Sequence, residues 1–147
     1  MSSAREKAVE YLSRFSRSER QVRNYLARKE YSPEEIDDAI VYLCAHSFLN
    51  DAAYAEAVVR DRIRHGDGPL KIRQMLFQKG IDARTQDRLL RELYPEEEQV
   101  EAAAKLLHKR LGRSGNREKA LRFVASRGFS RYVMIQALKT YNEEKES

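Results

Sequence analysis

One cysteine, three prolines and six glycines in 147 residues exclude several kinds of protein at once. Cys44 is alone, so no internal disulfide can form and a metal site of paired cysteines is ruled out. So few Pro and Gly leave too little turn material for a loop-rich β fold. No apolar run approaches the ~20 residues of a membrane span. The opening residues, Met1-Ser2-Ser3-Ala4-Arg5-Glu6, lead straight into a charged amphipathic segment without the apolar core of a signal peptide. A cytoplasmic location with no membrane partner is therefore expected.

Catalytic constellations are equally scarce. His46, His65 and His108 lie far apart, and no pair has the spacing of a helical metal site. Gly66-Asp67-Gly68 lacks the following Gly and Lys-Ser/Thr of a phosphate cradle and reads as a helix–helix turn. The run Glu96–Glu98 suits the first turn of a helix better than a cation site. No cofactor, metal site or enzymatic activity is expected, and the chain is expected to work by binding. Cys44, within the apolar stretch from Ala39 to Leu49, is expected to be a small core residue.

What the chain does contain is helix-forming residues, dominated by Ala, Leu, Glu, Arg and Lys. Its charged fraction, 35%, exceeds the roughly one quarter usual for a compact globule, which implies a large solvated surface relative to the core. Residues 1–50 hold 8 basic and 8 acidic groups, residues 51–98 hold 9 and 10, and residues 99–147 hold 11 and 5. The excess of +5 thus resides in the last third, the footprint expected for a polyanion partner, although solubility would also account for so modest a charge.

The sequence repeats at offsets of 50 and then 48 residues. Leu26 matches Leu76 and Val124; Tyr25 matches Met75 and Phe123; Val22 matches Ile72 and Ala120; Tyr31 matches Ile81 and Phe129. Ala39 and Ile40 match Leu89 and Leu90, then Ala137 and Leu138, and Leu43 matches Leu93 and Tyr141. All are apolar and predicted to be core. Lys29, Lys79 and Arg127 align at the ends of second helices, where cations suit the dipole, and Ser32, Asp82 and Ser130 align as N-caps. Gly80 and Gly128 follow the cations and allow a left-handed helix stop; the first copy has Glu30 there, so its turn is expected to close differently.

Each copy reads as three helices: about 4–15, 18–29 and 33–46, then 51–65, 69–79 and 83–94, then 96–112, 117–127 and 131–142. Asn50 or Asp51 caps the fourth. The expected fold is all-α, three tandem three-helix repeats (1–49, 50–94 and 95–147) stacked into an elongated, curved array, since a unit of this size has too little core to stand comfortably alone.

Candidate binding residues are basic. The second repeat offers Arg60 and Arg64, four apart on one helix face, with Lys71 and Arg73; the third offers Lys105, Lys109, Arg110, Arg113, Arg117, Lys119, Arg122, Arg127 and Arg131.

Several stretches resemble the RecX family: Phe48-Leu49-Asn50-Asp51-Ala52-Ala53-Tyr54-Ala55; Gly66-Asp67-Gly68-Pro69-Leu70-Lys71-Ile72-Arg73-Gln74-Met75-Leu76 with Lys79-Gly80-Ile81; Arg127-Gly128-Phe129; and, more loosely, Tyr11-Leu12-Ser13-Arg14 with Ser18-Glu19. Together they span nearly the whole chain. The resemblance implies a bacterial regulator of the RecA recombinase, a monomer that lodges in the groove of the RecA–DNA filament and mainly inhibits its ATPase, growth and strand exchange. The basic residues above would then meet DNA phosphates, single- or double-stranded, without base specificity, or an acidic filament surface. A nucleic-acid-binding helical repeat acting without a recombinase is the alternative.

Overall fold

The computed structural model describes residues 2–146, and of Ser114 and residues 144–146 the backbone alone. Among the described residues there are nine helices and no strand: α1 (Ala4–Arg14), α2 (Glu19–Arg28), α3 (Pro33–Ala45), α4 (Asp51–Arg64), α5 (Pro69–Gln78), α6 (Ala83–Leu93), α7 (Glu96–Ser114), α8 (Arg117–Ser126) and α9 (Arg131–Glu146). They form three tandem three-helix units. The predicted boundaries agree to within two residues except at the end of α9, which runs four residues further.

Capping explains where most helices start. Ser18 and Ser32 each accept from the backbone N–H three residues on, and Gln21 and Glu35 return the bond, completing two capping boxes. Asp82 and Ser130 cap α6 and α9 through Thr85 and Val133. At the start of α4 the cap is Asn50, whose Oδ1 accepts from Ala53 N at 3.1 Å; Asp51 instead accepts from the N–H of Glu19 in the neighbouring unit at 2.7 Å.

Two hydrophobic clusters hold the units. One belongs to the first unit alone and includes Ala8, Val22, Leu26, Ala39, Ile40 and Leu43. The other runs continuously through the second and third units, from Ala55 and Val59 through Ile72, Leu76, Leu89 and Tyr94 to Leu107, Val124, Phe129 and Ala137. Most repeat-matched apolar positions are buried; Tyr25, Met75 and Phe123, at one shared position, are half-buried. The chain exposes 9619 Å², against about 7,800 Å² for a compact globule of its mass. The excess is what an extended stack of small units produces.

Two expectations are corrected. Cys44 is exposed, not core: it lies on α3 one residue beyond Leu43, which takes the buried position. Glu30 does not close its turn differently, for it adopts φ +68°, the left-handed conformation that Gly80 and Gly128 take at φ +85° and +96°. The turn is the same and a non-glycine residue is forced into it.

Candidate nucleic-acid interface

The repeated units meet through their second helices, head to tail. At one joint the N-terminus of α5 abuts the C-terminus of α8: Gly68 N donates to Arg127 O at 2.7 Å and Leu70 N to Gly128 O at 2.9 Å. At the other, the N-terminus of α2 abuts the C-terminus of α5: Ser18 Oγ donates to Lys79 O at 2.6 Å and Arg20 Nη1 to Phe77 O at 3.3 Å. Each positive helix end thus faces a negative one, and each joint supplies donors to carbonyls that a helix terminus leaves unpaired.

The joint between the second and third units closes on Asp67, whose side chain is fully inaccessible. Its carboxylate receives Arg62 Nε at 2.6 Å and the Arg127 Nε and Nη2 at 3.1 and 3.0 Å, with Lys71 Nζ at 3.6 Å. Burial works against its charge, but the hydrogen bonds from Arg62 and Arg127, with the positive charge of Arg62 and Lys71, win and hold the carboxyl below its ordinary range. Arg127 Nη2 also donates to His65 O at 2.6 Å, and Tyr94 Oη donates to Asp67 O at 2.8 Å. Burial pushes the Tyr94 hydroxyl well above the usual phenol range, so it remains a donor. A Cβ at Gly68 would overlap the Gly128 carbonyl, and one at Gly128 the backbone nitrogen of Lys71, so both positions require glycine for this approach. The Gly66–Pro69 stretch and Arg127-Gly128, read separately from the sequence, are therefore two halves of one joint.

The candidate cations divide accordingly. Arg127 and Lys71 are engaged by Asp67. Arg73 pairs with Asp87, the copy of an Arg23–Asp37 pair at 2.7 Å in the first unit, and both ties link a second helix to a third. On exposed surface, Arg60 reaches Glu56 at 3.3 Å and Arg64 reaches Asp61 at 3.6 Å. Arg122 stands 3.6 Å from Glu118, and the Arg110 guanidinium lies over the Phe123 ring, 3.9 Å from its centroid.

The remaining six are exposed: Lys105, Lys109 and Arg113 on α7, Arg117 and Lys119 on α8, and Arg131 on α9. Among the described residues none has a carboxylate partner. Lys105, Lys109 and Arg113 recur every four residues and so share one face of α7. Arg117, Lys119 and Arg131 occupy first turns, where the helix dipole opposes a cation. Arg117, Lys119 and Arg131, without a carboxylate partner among the described residues and against the local field, gain no stabilisation there, whereas Arg113 sits in the last turn of α7, where the dipole favours it. The six form a ready surface for an anionic ligand.

No group of acidic, histidine or cysteine side chains among the described residues could hold a metal ion, and none of the described helices is long and apolar enough to cross a membrane.

Comparison with known proteins places this architecture. Residues 4–43 match the first three-helix domain of RecX and residues 50–90 the second. The regulatory protein RecX of Lactococcus lactis subsp. lactis is 33% identical over 146 residues, covering 93% of this chain and 54% of that protein. RecX of Oceanobacillus iheyensis is 39% identical over 104 residues, 70% of this chain and 38% of the relative. The chain spans about half the length of the curated relatives it matches. Among solved structures, RecX from Lactobacillus salivarius superposes with a TM-score of 0.87 at 27% identity, covering 95% of this chain and 94% of that one. A second crystal structure, of regulatory protein RecX, gives 0.84 at 30% identity over 92% and 71%. Two matched three-helix domains and a shared architecture along nearly the whole length show that the chain belongs to the RecX family.

Proposed function

We propose that this protein regulates the RecA recombinase by binding its filament on DNA, mainly restraining ATP hydrolysis, filament growth and strand exchange, and that it does so as a cytoplasmic monomer by binding rather than by catalysis. The observation that carries the DNA half of this reading is the set of six cations in the third unit that lack a carboxylate partner among the described residues. Membership of a family of regulatory proteins supports the rest. An extended array of units can touch several protomers along a helical groove, which a globule of equal mass cannot. The first two units are electrically balanced, with 8 basic against 8 acidic and 9 against 10, and serve protein contact; the third meets phosphates. Phosphate contacts of this kind add affinity without base specificity and weaken steeply with salt.

Charge reversal tests the division of labour. Lys105→Glu, Lys109→Glu and Arg113→Glu together should weaken filament binding and reduce its log-log salt slope by roughly 0.7–0.9 for each phosphate that is no longer neutralised. An unchanged slope would remove the basic unit from the mechanism.

The same six cations also favour a second reading, a nucleic-acid-binding protein that needs no recombinase. Tight binding of free DNA at physiological salt, unaltered by adding RecA, would support that reading against the first.

A further inference from the structure

At the opposite end of the array from the basic unit, a run of rings and cations leads outward from the first unit's core, against which Tyr11 and Tyr25 pack, to the exposed ring of Phe15. Tyr11 of α1 and Tyr25 of α2 lie face to face, centroids 4.0 Å apart and planes within 3°. Lys29 Nζ stands 5.7 Å from the Tyr25 centroid. The Arg17 guanidinium stands 5.3 Å from the Tyr11 centroid and 5.2 Å from that of Phe15. Contacts therefore pass from Lys29 through Tyr25, Tyr11 and Arg17 to Phe15, whose ring ends the series 64% exposed. A cleft of about 240 Å³ beside it is lined by Glu10, Tyr11, Arg14, Phe15, Arg17 and Tyr25.

The electrostatics of this cleft favour an anion with a flat apolar part. Arg17 has no carboxylate partner among the described residues, and its Nε is buried without an acceptor. Ring faces hold this guanidinium, not an ion pair. The one carboxylate in the lining, Glu10, stands 3.7 Å from Arg14 and 3.9 Å from Lys7. Three rings, two guanidiniums and one already-shared carboxylate remain. An acidic peptide would use the cations and leave the rings idle. An apolar helix would use the rings and strip water from Arg14 and Arg17 without compensation. A nucleotide uses both, its base on an aromatic face and its phosphate on a planar guanidinium. Duplex DNA hides its base faces in the stack, so the strand must be single.

We propose that this cleft binds single-stranded nucleic acid without sequence preference, a base stacking on Phe15 and the adjoining phosphate meeting Arg14 and Arg17. The site is separate from the basic unit, adding one nucleic-acid contact to a first unit whose remaining surface is assigned to protein contact above, and the proposal does not depend on a recombinase partner.

The test uses the full chain alone, at low salt, with a hexanucleotide carrying 2-aminopurine, whose fluorescence falls when it stacks. Phe15 is largely exposed, so its variants should keep the wild-type circular dichroism. Expected results are quenching by the wild-type chain, a roughly 10-fold weaker Kd with loss of quenching for Phe15→Ala and Phe15→Leu, and recovery of both by Phe15→Tyr. An internal 2-aminopurine in a duplex should not respond. Quenching and affinity unchanged in Phe15→Ala would overturn the proposal. Wild-type behaviour of Phe15→Leu would also overturn it, since an apolar but non-stacking side chain would then suffice. So would a Phe15→Ala defect confined to binding the recombinase filament, which would make this a protein-docking face.

Discussion

A single buried carboxylate ties the second and third units together. Asp67, itself inaccessible, gathers the partly exposed Arg62, Arg127 and Lys71 from two units into one cluster. Asp67→Ala removes the negative partner and leaves three cations facing one another; a loss of about 3–5 kcal/mol is expected, read by urea denaturation. The same group sets an acid limit. Its folded-state pKa lies below its unfolded value near 3.9, so its contribution is complete above about pH 4 and disappears as pH falls through the folded pKa. Denaturation midpoints of the wild-type chain should therefore drop in that acidic window, and Asp67→Asn should flatten the drop. Glu30 offers the opposite case. It holds φ +68° where the other units have glycine, and an L-residue there costs about 1–2 kcal/mol. Glu30→Gly should stabilise by about 1 kcal/mol, a rise of roughly 3 °C in Tm. No rise would mean that side-chain contacts of Glu30 offset its strain.

Between elements, the joints decide the architecture, and here the sequence was only partly legible. The second-helix register, the caps at Ser32, Asp82 and Ser130 and the cations that end α2, α5 and α8 follow from local rules and could be read directly. What those cations do could not, because it depends on partners distant in sequence: Arg127 meets Asp67 across 60 residues. The signal was present in outline, a short carboxylate between two glycines and a second Arg-Gly step elsewhere, but nothing local pairs the two. Arg73 was hidden for a related reason. Its ion pair with Asp87 repeats Arg23–Asp37, while the third unit has Leu121 and Ile135 at those positions, so the tie is visible only once two helices are seen to face each other. Cys44 was misplaced because a run of apolar residues on a helix wraps around it, and only part of that run faces the core. The joint itself can be tested with two glycines. Gly128→Ala drives a methyl into the Lys71 backbone and should cost about 3 kcal/mol or more. Gly115→Ala meets nothing within 4 Å, and although φ is +64° the cost should stay at about 1–2 kcal/mol by thermal melting. Equal costs would show that the close approach of α5 and α8 does not hold the units together.

At the scale of the whole molecule, two cores, a surface larger than a globule's and a charge gathered at one end describe an extended ligand with different ends. The second and third units share a core and an ion cluster centred on the buried Asp67, whereas the first keeps its own core and meets the second through hydrogen bonds at Ser18, Glu19 and Arg20. Hydrogen exchange should therefore protect the second and third units as one cooperative block and the first as another. The extended form suits a repetitive, groove-bearing target better than a small ligand. Membership of a regulatory family agrees with that, and the recombinase filament is the target proposed. The most direct measurement is the ATPase rate of RecA on single-stranded DNA, with filament length followed in parallel, titrated with this protein. The expected result is a dose-dependent fall in both. Unchanged hydrolysis and filament length at saturating protein would contradict it.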